Sequence, residues 1–289
     1  MAEWLLEYYL NGFSATISAG PVNIFRIAIA LAAAWKVGYE LMRGSWNWFS
    51  PLSLTRYEYE YYQPRLPISL RLYRAAIIVK IVAVPLLLLG VLPHVAALAL
   101  GAALTLDLLF HRLWHTLYIA TSCFGLALCD GLGAALSVFS PVFSSPGHSP
   151  FTLTLLVILT ISMYWGSVLQ KLRSAHFMSG TALREYSRYL MDTRDLLTYR
   201  EVWFPSLYAR VFDDSPVLTV KNRFSVMAKI TIVLEALLPI GLLFEATWAA
   251  AAVCGVLMHV VFTFMYPTRL VPFSVATVGS YALFASQWF

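Results

Sequence analysis

Eight apolar runs, each close to the length of a bilayer crossing and each sparing in charge, decide what this chain can become: 22–42, 75–92, 94–111, 113–135, 151–170, 225–244, 247–266 and 270–287. A helix rises 1.5 Å per residue, so about 20 residues cross the hydrocarbon core. Eight such runs in 289 residues leave little chain for anything else. The charge content agrees, at 12% against the roughly 25% of a soluble domain. With 60% hydrophobic residues and a mean hydropathy of +0.71, a water-soluble core could not be given a polar shell. The predicted fold class is therefore all-α: a polytopic integral membrane helix bundle of about eight transmembrane helices, one domain over 1–289, with no large soluble domain and with the lipid bilayer as its partner.

Two polar segments, 43–74 and 171–224, are too charged for hydrocarbon. If the chain starts on face A and the first helix ends on face B, eight crossings place 19 of the 20 Lys and Arg residues on or toward B and only Arg26 toward A. By the positive-inside rule face B is cytoplasmic. The net charge of +5 follows from this sorting and from no compact basic domain, so a nucleic-acid partner is not expected. Lys36 and Lys80 are read as helix-end residues turned toward B. Residues 57–62, Tyr-Glu-Tyr-Glu-Tyr-Tyr, would separate rings from carboxylates if extended. From Ser179 to Leu197 the spacing of Leu183, Tyr186, Leu190 and Leu197 predicts an amphipathic helix lying on the membrane surface. Glu3 and Glu7, without a basic start, argue against a cleaved signal peptide.

Chemistry inside a membrane is best sought among ionisable groups that hydrocarbon should exclude. These are Arg26, Asp107, His111, His115, Asp130, Lys171, Glu235 and His259. Asp107, His111 and His115 are four apart and would share a face of one continuous helix, a spacing that could hold a transition metal. The remaining histidines stand alone, so a structural role at a helix end is the simpler reading and no metal site is expected. Lys171 closes an uncharged run; it either snorkels to the interface or faces the bundle, where a neutral amine could act as a base. Glu235, with apolar residues on both sides, must be protonated or paired.

These residues come in a familiar order. Phe25-Arg26-Ile27 opens the first helix and Arg43-Gly44 closes it; Arg112-Leu113-Trp114-His115 follows, then Cys129-Asp130. Tyr164 precedes Lys171 by seven residues, with Gly180 beyond, and Glu235 and His259 come 24 apart. Together they resemble the vitamin K-dependent γ-glutamyl carboxylases and their bacterial homologues with the HTTM membrane domain. Phe262 departs from the pattern, standing where those proteins often have asparagine.

The resemblance implies a reduced quinone like vitamin K hydroquinone, deprotonated by Lys171, with oxygen and carbon dioxide as co-reactants and a small peptide or lipid-soluble molecule as substrate. It implies Lys171, His115, His259 and Glu235 as catalytic groups and Arg26 and Tyr164 as cofactor-binding groups, in a bacterial cytoplasmic membrane. By depth along their helices, His115, Lys171 and His259 are expected to converge near face B. Two other readings stay open: a non-catalytic membrane partner for peptide maturation or export, and a metal-dependent membrane oxygenase built on Asp107, His111 and His115.

Overall fold

The computed structural model describes residues 20–62, 68–110, 113–129, 132, 150–193, 220–265 and 267–285. Among them the chain is helical throughout, with no strand. The helices are α1 (Gly20–Met42), α2 (Leu54–Tyr62), α3 (Leu70–Leu89), α4 (Pro93–Phe110), α5 (Trp114–Ala127), α6 (Pro150–Arg173), α7 (Ala175–Met178), α8 (Thr181–Thr193), α9 (Val220–Leu242), α10 (Glu245–Met265) and α11 (Pro267–Ala285).

A helix occupies each of the eight apolar runs. Six of them (α1, α3, α4, α6, α9 and α10) are long and apolar enough to cross a membrane. The apolar part of α11, Leu270–Ala285, is shorter. The 14 residues of α5 rise only about 21 Å, short of a hydrocarbon core of roughly 30 Å. The chain is a multi-pass integral membrane helix bundle.

Local chemistry sets the helix ends. The Ser69 hydroxyl accepts from the Leu72 amide at 3.1 Å and caps α3. Gly90, at φ 73°, lets that helix turn out through amide bonds to its last carbonyls, and Pro93 then opens α4. This is the break between two runs that touch in the sequence. Between α4 and α5, Leu113 is extended (φ −98°, ψ 122°), so Asp107 and His115 do not share one continuous helix. His111 and Asp130 lie outside the described residues.

Two compact units are formed. Met1–Leu159 with Val275–Phe289 makes the first, and Thr160–Ser274 makes the second. In the first, α4 packs between α3 and α5, and α1 packs on α3 and α5. The C-terminal half of α11 meets α1 so closely that a Cβ on Gly279 would overlap Ala28 Cβ. Residues 54–62 are the helix α2 and not an extended alternation: Tyr59 is buried with Phe49, Tyr73 and Ile77, while Tyr57, Tyr61 and Tyr62 face outward. An i, i+3, i+4 geometry breaks the two-residue pattern, so only one ring of the four can enter the cluster.

In the second unit α9 packs against α7, α8 and α10. The amphipathic helix is present as α8, but its buried Leu190 lies on Phe224 of α9, with Leu183, Tyr186 and Met191 beside it. Protein covers this apolar stripe, where lipid was expected. Leu197 lies outside the described residues. Gly180, at φ 76°, makes the turn between α7 and α8 against the backbone of Phe224 and Ser225, leaving no space for a Cβ.

Candidate functional site

The second unit gathers most of the residues singled out in the sequence. Tyr164, Ser167 and Lys171 stand three and four apart on α6 and so share a face. Lys171 sits in the last turn of that helix, where a cation is favoured by the carbonyl end of the dipole. Its side chain does not run out along the helix to water. Nζ donates to both carboxylate oxygens of Glu235 on α9. The Glu235 side chain is only 5% exposed and also accepts from the Ser167 hydroxyl at 3.1 Å. Trp165 Nε1 donates to the Ala236 carbonyl at 3.3 Å, tying the same two helices together two residues before Ser167 and one after Glu235.

The amine keeps limited access, at 21% of the Lys171 side chain. Two phenyl rings border it, Phe177 with its centroid 5.6 Å from Nζ and Phe262 at 5.8 Å. Phe262, the position that departs from the family pattern, thus supplies an aromatic wall where an asparagine would supply hydrogen bonds.

His259 forms a second polar line in the same unit. The Tyr164 hydroxyl lies 2.8 Å from Nε2, and the Ser274 hydroxyl lies 3.0 Å from Nδ1. A neutral imidazole makes both bonds, one nitrogen donating and the other accepting. The ring is buried and packed by Phe262 and Phe273 at centroid distances of 5.7 and 5.5 Å. Phe262 therefore touches both lines, the Lys171–Glu235 pair on one side and the Tyr164–His259–Ser274 chain on the other.

Arg26 and His115 belong to the first unit. The Arg26 side chain is wholly buried, and it serves the end of α3: Nη1 donates to the Leu87 carbonyl at 2.6 Å and to Leu88 at 3.3 Å, while Nε donates to Asn23 Oδ1 at 3.1 Å. A guanidinium on the last carbonyls of a helix satisfies groups that hydrocarbon cannot. His115 is half-buried in the first turn of α5.

The chain matches no family model, no curated protein and no solved structure. What the site can do is thus argued from its own groups. Among the described residues no three of His, Cys, Asp and Glu are placed to hold a metal ion.

Sequence reasoning missed a second ionic cluster, in the first unit. Lys80 is not a snorkelling residue: it is 1% exposed, and Nζ donates to Asp107 Oδ1 and Oδ2 at 2.7 and 2.9 Å and to Glu40 Oε2 at 3.3 Å. Lys36 pairs with Glu40 one turn away on α1. The signal that could have found it is the i, i+4 spacing of Lys36 and Glu40 inside an apolar run, paired with lone opposite charges on two neighbouring runs.

Proposed function

We propose that the chain is a membrane enzyme in which the Lys171–Glu235 pair removes a proton from a hydroquinone bound beside it, as the resemblance to the γ-glutamyl carboxylases implies. One observation carries the reading: the Lys171 amine turns onto a buried carboxylate of a neighbouring helix and away from the interface. An anchor would have done the opposite.

The surroundings of the amine suit an aromatic diol. Phe177 and Phe262 offer flat apolar faces, and the remaining exposure of Lys171 leaves a path for a ligand hydroxyl. Such a ligand supplies the reducing equivalents for reaction with oxygen. The chain supplies proton handling. Within the pair a proton can pass from the ammonium to the carboxylate, giving a neutral amine and a carboxylic acid. The amine then accepts the hydroxyl proton and becomes an ammonium again, beside the oxygen that has lost it. Its positive charge stabilises the developing anion where it forms. The Tyr164–His259–Ser274 line packs on the same Phe262 and holds exchangeable protons out of contact with solvent. The substrate class is a small peptide or a lipid-soluble molecule, the two that can reach a site within the bundle.

The test is oxygen-dependent consumption of a reduced naphthoquinone by purified protein in detergent. A general base contributes about 10²–10⁴-fold, so Lys171→Ala and Lys171→Arg both lose at least about 100-fold per folded molecule. Arginine keeps the ion pair but does not give up its proton. Full activity in Lys171→Arg rejects the base role and favours the non-catalytic peptide partner.

A further inference from the structure

Beside the ionic cluster of the first unit lies a small cavity of about 10 Å³, the space that one water molecule needs. Its walls include Lys36 and Glu40 of α1, Thr55 of α2, Tyr73 of α3, Asp107 of α4 and Thr116 of α5, with Trp48 from the segment between α1 and α2. Thr116 is the decisive wall. It is 1% exposed, and its hydroxyl has no hydrogen-bond partner. A buried hydroxyl left unpaired costs about 1–3 kcal/mol, and in a cavity lined by carboxylates a water removes that cost.

We infer that Lys36, Glu40, Lys80 and Asp107, with one internal water held by Thr116, form a proton-exchange site in the first unit, separate from the Lys171–Glu235 pair. Two carboxylates share the deeply buried Lys80, and Asp107 holds it through both oxygens. Neutralising Glu40 therefore leaves Lys80 still paired. In an isolated ion pair the same event would strand a buried ammonium. Lys36 and Glu40 are the more accessible members, each with 13% of its side chain exposed, while Lys80 is 1% exposed. Lys36 also lies 3.9 Å from Asp107, so it too keeps a carboxylate when Glu40 is neutral. In the step, a hydronium gives its proton to a carboxylate oxygen of the Glu40–Asp107 pair and remains as water. The O–H bond formed there raises the charge of the cluster by one, and the reverse step releases it. The proton belongs to the pair, which titrates as a unit. The groups facing it are Lys36 on the same helix, Lys80 and Tyr73 on α3, and Thr116 on α5.

Trp48 gives a reporter in the cavity wall. The full chain is labelled with 5-fluorotryptophan, placed in lipid nanodiscs and followed by fluorine NMR against pH, with the Trp48 resonance assigned from Trp48→Phe. The expected result is a one-proton step at Trp48 that is absent from Trp165, disappears in Glu40→Gln, and shifts its midpoint by about half a pH unit or more in Thr116→Val. A Trp48 resonance that stays flat across the pH range of the folded protein overturns the proposal, as does an unchanged step in Glu40→Gln. If Glu40→Gln does not fold, Thr116→Val decides: it removes no charge, and a midpoint equal to the wild type refutes the bound water on which the site depends.

Discussion

Replacing Lys171 with methionine removes the amine but keeps most of the stem, so the change isolates what the charge does for Glu235. The carboxylate is left with the Ser167 hydroxyl 3.1 Å away and 5% of its side chain exposed. Breaking one side of a buried pair costs about 3–5 kcal/mol, and the partial exposure of Lys171 puts this case near 3. Protonation sets an independent ceiling: neutralising an ordinary carboxyl at pH 7 costs about 1.36 kcal/mol for each of about 2.7 pH units, or ~3.7 kcal/mol. The two agree. Adding Glu235→Gln to the methionine variant removes the charge and recovers all but about 1 kcal/mol, because an amide still bonds the Ser167 hydroxyl. Glu235→Gln alone costs less than Lys171→Met, since the amine has the exposure to turn toward water.

Reversible unfolding by SDS in mixed micelles measures all four proteins. A Lys171→Met variant as stable as the double refutes the buried-pair reasoning.

Gly279→Ala drives a methyl into Ala28 Cβ and should cost about 1–3 kcal/mol, with Ala28→Gly in the same chain recovering most of it; additive losses in the unfolding assay would show that the two positions do not touch. The basic-residue asymmetry predicts that cysteines at the exposed positions Leu52 and Tyr189 react together with an impermeant thiol reagent, while those at Leu92 and Glu245 react only from the other side. Shared reactivity of Leu52 and Leu92 would break the assignment of faces.

The helices were legible because hydrocarbon imposes a length and an apolarity that any window reveals, and each of the eight runs contains a helix among the described residues. For Lys171 the sequence left two readings open, snorkelling or facing the bundle, and for Glu235 protonation or pairing; the structure pairs the two. What linear spacing does not carry is which charges meet across helices. Lys80 looks the same in the sequence whether it snorkels or binds Asp107, and the choice is made by the packing of α3 on α4. The same limit applies to α8, whose stripe reads as lipid-facing until Phe224 is seen against Leu190. In Tyr57–Tyr62, alternation and helix are both compatible with the residues; the aromatic contacts of Tyr59 with Phe49 and Phe110, at 5.4 and 5.2 Å, select the helix.

The meeting of Gly279 with Ala28 closes the first unit with α11, whereas the second unit is continuous in sequence. Synthesis therefore meets the two in a different order from their order in the chain. While the ribosome is translating residues 160–274, α1 and α3–α5 are already in the bilayer with the seat of α11 open, and the second unit can complete its own packing before that seat is filled. Only when residues 275–285 emerge can the first-made helices reach their final arrangement. The helices of the first unit that precede residue 160 thus gain their final partner only after the second unit has been made.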